Sequence, residues 1–541
     1  MPAMIVAPEP IAVEEGAKVL MNGGNAIDAA VACAFTQAIV APHNAGVGGY
    51  SILTLYLADD TDGLGSGFAA LEAPALAGSK VTPAMWEDIL LQPNPDGWGY
   101  FVKGKVNTIG YQAICAPGSV RAWAAMLEHW GTTSWESAIA PAARIAQEGF
   151  MVSDRLAATW KRRARHPESC APIDFVTENA EARRIYLKEH GTPYEAGELL
   201  RNPDYARTLR ELAERGPDDF YHGELARRIS EDLGANGSFV TAEDLVEYRM
   251  RDVQPVVGTY RGYTISTSPP PNGGATLIAI LNTLEGYDLG ALGHNSAEYI
   301  YLASMAMKAG FADRNPYMAD PEFVDVPLEW MISKERALEW RKRIDEGEPI
   351  QVSFAPAEPP DTTHVSVVDH HGNCVALTHS LGMSSGVITP GLGFMYNNSM
   401  VNFHPLSGHP NSIAPRKGRT TGMTPTIISK DGKPVVVIGA PGATRIITSL
   451  VQVIVNLLEF GMGIADAVLA PRFDCQGDLI RCQGRIPEYI CAEVRKRHPI
   501  ERIPQSHGGL ALVHAIAIDP ETGELSGAAD TGAEGMALEI P

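Results

Sequence analysis

A proline-punctuated linker running straight into a hairpin, residues 346–381, constrains the fold of this chain more than any other stretch. Pro349, Pro356, Pro359 and Pro360 stand among small and acidic residues over 346–361. Such a segment reads as extended and exposed, within reach of a protease or of self-cleavage. Thr362 to Asp369 is then rich in β-branched residues, His370 to Asn373 reads as a turn, and Cys374 to Leu381 as the returning strand. With the turn centred on His371, opposed residues sum to about 742 in number, so Thr362 faces Ser380 at the hairpin's open end. A slip of one residue would move Ser380 to the neighbouring pair.

Elsewhere the pattern alternates between helix and strand. Pro10 to Asn22 has helical apolar spacing and stops at Gly23 and Gly24, after which Asn25 can cap a helix of small residues from Ala26 to Ala32. His43 to Gly49 is a glycine-rich loop before a strand-like Tyr50 to Leu57; it does not join strand to helix, so it is a poor phosphate cradle. Signals from 119 to 250 are mostly helical, with a capped start at Thr241 and Asp244. Tyr260 to Thr267 reads as one strand ending at Ser268 to Gly274, and helices resume to about 345. After the hairpin, Thr420 to Ile428 is a polar loop entering a strand, and Val435 to Ile438 is a short buried strand. It ends in Gly439 to Thr444, and a long apolar helix starts at Arg445. There is no internal repeat and no low-complexity tract.

Of the 541 residues, 45% are hydrophobic and 20% charged, enough for a large core in several domains or one large α/β body. The net charge of -21 repels phosphate backbones and anionic lipid, so nucleic acid and membrane surfaces are not expected partners. Seven scattered cysteines without a C-x-x-C pair point to free thiols in a reducing compartment, not to a disulfide framework or a zinc site. Met1 to Pro8 lacks the basic start and apolar stretch of a signal peptide, and no window approaches the ~18 apolar residues of a membrane span. A cytoplasmic protein is expected.

Threonine is common in strands, but Thr362 follows a cleavable linker. Cutting the Asp361–Thr362 bond would leave it a free α-amine of pKa near ~8, a general base for its own hydroxyl. Backbone N–H groups at Gly442 and Ala443, at a strand-to-helix junction, can hold an oxyanion; an ordinary tight turn is the plainer reading of that loop. His370 and His371 sit at a turn tip without a carboxylate at ligand spacing and read as solvated, so neither a metal nor another cofactor is expected.

The chain resembles the γ-glutamyltransferase (γ-glutamyltranspeptidase) family of N-terminal-nucleophile hydrolases. The resemblance runs in order through Gly23 to Ala30, Ala116 to Val120, Gly216 to Tyr221, Tyr260 to Tyr263, Pro269 to Pro271 and Phe311 to Arg314. It continues through Thr362 to Asp369, Asn397 and Asn398, Met423 to Thr426 and Gly439 to Ile447. It implies an α+β fold, a four-layer αββα sandwich made as one precursor. It implies self-cleavage before Thr362 into a large chain, 1–361, and a small chain, 362–541, that stay associated. Thr362 would form an acyl-enzyme on a small-molecule amide, Ser380 would support it, and Gly442 and Ala443 would hold the oxyanion.

Departures bear on the substrate. An arginine that grips the glutamyl α-carboxylate in relatives is missing from Ala69 to Pro74. Ser399 and Asn402 stand where an amide or acid and an aspartate hold the α-amine, Gly382 replaces an asparagine, and Thr421 with Gly422 replaces a serine pair. Losing such charge-assisted contacts would cost about 1.5–3 kcal/mol each. The short stretch from Asn402 to Thr420 implies an open pocket. The leading reading is an amidohydrolase for a non-standard acyl group, as in cephalosporin or glutaryl acylases and an oxamate amidohydrolase. A γ-glutamyl hydrolase or transpeptidase is the second, with Arg121, Arg416, Lys417 or Arg419 as substitute cations. An uncleaved, inactive scaffold is the third.

Overall fold

The computed structural model describes residues 1–58, 66–94, 99–164, 166–354 and 361–541, with Asp252 by its backbone alone; residues 355–360 of the proline-rich linker lie outside the described residues. The predicted hairpin forms the middle of a seven-stranded sheet. Its spatial order is Met536–Ile540, Ala3–Ala7, Thr363–Val368, Cys374–Ser380, Tyr50–Leu57, Gly67–Ala73 and Arg251–Val253. Thr363 pairs with His379 and Val368 with Cys374, so the register sum is 742, as the turn geometry predicts. Asp369 accepts the Ala26 N–H at 2.9 Å, which ties the hairpin turn to the start of helix Ala26–Val40.

A six-stranded sheet faces the first, in the order Leu525–Ala529, His514–Ile518, Lys433–Gly439, Thr426–Lys430, Tyr263–Thr267 and Val256–Tyr260. The two sheets are separated by a thin core of Met4, Val6, Val368, Cys374, Ala376, Ile427, Val437 and Ile516. On the far side of the first sheet, Val365, Val367, Val375 and Leu377 meet Ile27, Val31, Trp123 and Ile139 of the flanking helices. On the far side of the second, helices Gly274–Leu284, Ala297–Tyr317 and Arg445–Leu458 supply a further core. This is the αββα sandwich. Burial on both faces explains why Thr362 to Asp369 carries so many β-branched residues. Residues before and after position 361 contribute strands to both sheets.

Local signals hold at several points. Asn25 caps its helix reciprocally with Asp28, and Thr241 does the same with Asp244. One reading is corrected: Tyr260 to Thr267 is not a single strand but two, Val256–Tyr260 and Tyr263–Thr267. Arg261 and Gly262 both take positive φ, 51° and 79°, the mirror-image turn that matches strand twist in a tight hairpin. Among the described residues, no helix is long and apolar enough to cross a membrane.

Candidate active site

Alternation along the hairpin decides which way Thr362 points. Even-numbered residues from 364 to 380 face the opposite sheet, so Thr362 and Ser380 share that inner face at the open end of the ladder. Thr362 Oγ1 and Ser380 Oγ are 3.1 Å apart, and Ser380 Oγ donates to the Asp361 carbonyl oxygen at 2.9 Å. The Gly382 N–H donates to Ser380 Oγ at 2.8 Å. A serine hydroxyl has one proton and two lone pairs. With its proton on the Asp361 carbonyl, Ser380 accepts from Thr362 and Gly382, and all its capacity is used. That arrangement places a hydroxyl donor on the carbonyl of the peptide bond before Thr362.

The residues alongside are locked. On the outer face the Thr363 hydroxyl donates to Glu9 Oε2 at 2.9 Å and accepts from Gln37 Nε2 at 2.9 Å. Gln37 Oε1 is 2.7 Å from His379 Nε2. Below Thr362 on the inner face, His364 Nδ1 meets Thr378 Oγ1 at 2.8 Å and His364 Nε2 meets Ser366 Oγ at 2.9 Å. Burial holds His364 neutral, well below the usual histidine range.

The loop after strand Lys433–Gly439 turns sharply into the next helix. Gly442 adopts φ 145° and Ala443 φ 60° just before helix Arg445–Leu458. A Cβ on Gly442 would stand 2.5 Å from the Ala511 Cα, and one on Gly422 would stand 2.4 Å from the Ala443 carbonyl oxygen. Gly422 therefore lies directly beneath the Gly442 loop, with no room for a side chain. Gly382 is similar: a Cβ there would meet Asn398 Oδ1 at 2.3 Å, and that oxygen accepts the Met383 N–H at 2.9 Å. Thr421 orients the same loop; its Oγ1 accepts the Met423 N–H at 3.0 Å, and its carbonyl accepts from the buried Arg314 at 2.8 Å.

A 3-10 turn, Ser399–Asn402, carries two of the residues that the sequence reading expects at the substrate. Asn397 beneath it donates to the Gly48 and Cys115 carbonyls, both at 2.9 Å, and accepts the Ser399 N–H at 3.1 Å. Among the described residues, the Ser399 hydroxyl and both amide atoms of Asn402 are buried without a hydrogen-bond partner. Asn411 joins this turn to the next segment, donating to the Asn402 carbonyl at 2.8 Å and accepting the Thr420 N–H at 3.2 Å. The expected open pocket is not what this precursor shows: Thr362 is 4% exposed, Ser399 0% and Asn402 1%.

The candidate cations separate by position. Arg121 pairs with Asp218 at 2.8 Å, Arg416 lies among Glu243, Asp244 and Glu247, and Lys417 donates to the Pro410 and Ser412 carbonyls. Arg419 stacks on Tyr50, 4.4 Å from ring centroid to guanidinium carbon, and Tyr50 pairs directly with Ser380. Near Glu72, an arginine does arrive from another strand: Arg251 is paired opposite Glu72 and reaches its Oε2 at 3.5 Å. Its guanidinium also engages Asp320 at 2.6 Å and Glu322 at 3.2 Å, so it is held among carboxylates. Burial raises the Glu72 carboxyl to about 7, against the pull of Arg251. Sequence patterns do not single out Tyr50, Asn411, Gln37 and Glu9, which long-range packing brings to these positions from a strand, a turn, a helix and a helix cap; the strand pattern at Tyr50–Leu57 is the one available signal.

The family model described as gamma-glutamyltranspeptidase matches residues 12–540. The acylase ACY 1 proenzyme of Pseudomonas sp. (strain V22) is 35% identical over 549 residues, covering 99% of this chain and 93% of that one. The glutathione hydrolase proenzyme of Escherichia coli (strain K12) is 32% identical over 551 residues, covering 97% of this chain and 90% of that one. Among solved structures, cephalosporin acylase from Bacillus halodurans superposes with a TM-score of 0.85 at 27% identity, covering 99% of this chain and 95% of that one.

Proposed function

Since this chain belongs to the γ-glutamyltranspeptidase family, as an autoprocessing amide hydrolase or acyltransferase, we propose that Thr362 is its nucleophile, freed when the chain cuts itself at Asp361–Thr362. The observation that carries this is the triangle of Thr362 Oγ1, Ser380 Oγ and the Asp361 carbonyl. Thr362 Oγ attacks the Asp361 carbonyl carbon while Ser380 donates to the oxygen as it becomes negative. The C–N bond breaks, the nitrogen takes the proton, and water hydrolyses the resulting ester. Residues 1–361 and 362–541 then remain together, because each supplies strands to both sheets.

The released α-amine, with a pKa near ~8, takes the Thr362 hydroxyl proton in each later turnover. Thr362 Oγ attacks the substrate amide, and the Gly442 and Ala443 N–H groups receive the oxyanion. The amine leaves with the proton, and water or a second amine accepts the acyl group. Ser399, Asn402, Thr421 and Gly422 shape the acyl pocket. Two neutral side chains at Ser399 and Asn402 give no anion to an α-ammonium, which supports an acylase-type substrate over a plain γ-glutamyl one. The likeness to a glutathione hydrolase proenzyme favours the γ-glutamyl reading as the second. Seven free thiols support a reducing compartment, the cytoplasm.

The test is a denaturing gel with a substrate panel. The 541-residue wild-type chain, 58.0 kDa, resolves into fragments of roughly 39 and 19 kDa by proportion of chain length. Thr362→Ala stays full-length and inactive. Wild type that never divides overturns the assignment of Thr362.

A further inference from the structure

We propose that Glu9 is the general base in the second half of self-cleavage, drawing a proton from the water that hydrolyses the Thr362 ester. This rests on the Thr362 reading above, in which that ester still needs a base to activate water.

Three placements carry it. First, Glu9 and Asp361 line one small cavity of about 50 Å3. It lies beside the bond to be cut, on the outer face of the hairpin, opposite the Thr362 hydroxyl. Second, the Glu9 carboxylate is held in one direction. Its Oε2 accepts from Thr363 Oγ1 at 2.9 Å and from Gln37 Nε2 at 2.7 Å. Its Oε1 accepts no hydrogen bond among the described residues. Residues two apart on a strand are about 6.6 Å apart on one face, so a carboxylate held on Thr363 reaches the Asp361 carbonyl carbon through a single water. Third, His43 supplies a donor to the same cavity. Its Nε2 accepts the Trp160 indole N–H, and burial lowers the ring to about 4, so it is neutral and Nδ1 carries the proton. That Nδ1 is buried without a partner among the described residues. The carbonyl of the next residue, Asn44, accepts the Leu381 N–H at 2.8 Å, which pins this loop beside Ser380.

A water in the cavity thus has a donor in His43 and an acceptor in Glu9. The water oxygen bonds to the Asp361 carbonyl carbon as one water proton passes to Glu9 Oε1, while Ser380 holds the oxygen that becomes negative. The bond from that carbon to Thr362 Oγ then breaks, its electron pair stays on Oγ, and the second water proton joins it there. Asp361 is left as a carboxylate, Thr362 regains its hydroxyl beside a free α-amine, and Glu9 releases its proton to solvent. Burial raises the Glu9 carboxyl above the usual glutamate range, against the pull of Arg155, which makes its anion a better proton acceptor. Glu534, on the same cavity, is turned to the Arg155 N–H at 2.8 Å.

The experiment follows division of freshly synthesised, full-length Glu9→Gln with and without neutral hydroxylamine, a nucleophile that opens an ester without help from a base. In buffer alone, division is expected to slow by roughly a hundredfold or more against wild type. Hydroxylamine should restore it, leaving a large fragment that ends, by mass spectrometry, in the Asp361 hydroxamate. Thr362→Ala forms no ester and should gain no such fragment, and Glu534→Gln should divide at the wild-type rate. A Glu9→Gln chain that divides as fast as wild type, or that is slow and not rescued by hydroxylamine, overturns the role of Glu9 and leaves that of Thr362 standing. Equal slowing in Glu534→Gln overturns it as well, because loss of any negative charge from the cavity would then suffice. Wild type that never divides, or an Asp361 hydroxamate from Thr362→Ala, sinks the nucleophile and the base together.

Discussion

The two walls around Thr362 treat polarity in opposite ways. On the hairpin wall the hydroxyls of Thr362, Ser380, Thr378 and Ser366 all have partners within 3.3 Å. On the facing wall the Ser399 hydroxyl and the Asn402 amide are just as buried and have none among the described residues. A satisfied network fixes its atoms before any substrate arrives, so no reorganisation is needed during reaction. An unsatisfied group costs about 1–3 kcal/mol until a ligand offsets it. On the proposed assignment, reaction geometry is built into the resting fold, whereas recognition is completed only when a substrate enters.

The largest break in this comparison is expected at the Gly442 loop, proposed above to hold the oxyanion. Gly442→Ala forces a methyl against the Ala511 backbone and turns the N–H groups away. Turnover by protein that has already divided should fall by about 10²–10³, the usual loss of one oxyanion donor. Circular dichroism should report an unchanged fold, and an unchanged kcat would show that Gly442 does not hold the oxyanion. Next comes Ser380→Ala, which strips the donor from the Asp361 carbonyl. A time course of fragment formation should slow by roughly tenfold to a hundredfold. Ser380→Thr keeps the hydroxyl and should divide at near the normal rate; equal rates in both variants would remove Ser380 from the reaction.

Much of the hairpin wall was legible in the chain itself. β-Branched residues, a turn tip and period-2 alternation fix the 742 register and hence the meeting of Thr362 with Ser380. Caps at Asn25 and Thr241 were legible for the same reason, because their partners lie three residues away. The surroundings of Gly382 and Gly422 are not legible in the same way: a neighbouring amide or backbone fills the space beside each, a packing that no local pattern encodes. Arg251 reaches Glu72, and Arg419 reaches Tyr50, only through sheet order and loop path, which no local pattern encodes.

Acid should separate the walls by stability. Burial pushes His379 and His514 down to about 3, so both stay neutral in the fold. In the unfolded chain they take protons near ~6.5. The stability tied to their neutral forms is complete above that value and is lost as pH falls from about 6.5 towards 3. Urea midpoints measured at pH 7.5, 5.5 and 4.5 should therefore decline, and His514→Asn should flatten the slope. A wild-type midpoint that holds through pH 4.5 would mean these rings are not held neutral.

The smallest effect is the most discriminating, because its sign differs from that of any change on the hairpin wall. Asn402→Leu replaces a buried amide with no partner by an apolar side chain of similar size. Removing an unsatisfied group without leaving another behind should raise stability by about 1 kcal/mol. The same change removes hydrogen bonds from the acyl pocket, so KM should rise while self-cleavage, which depends on Thr362 and Ser380, continues. A urea midpoint that rises together with KM places Asn402 among residues kept at a stability cost for recognition. A midpoint that falls would mean the amide is satisfied in solution, and the contrast between the two walls would not hold.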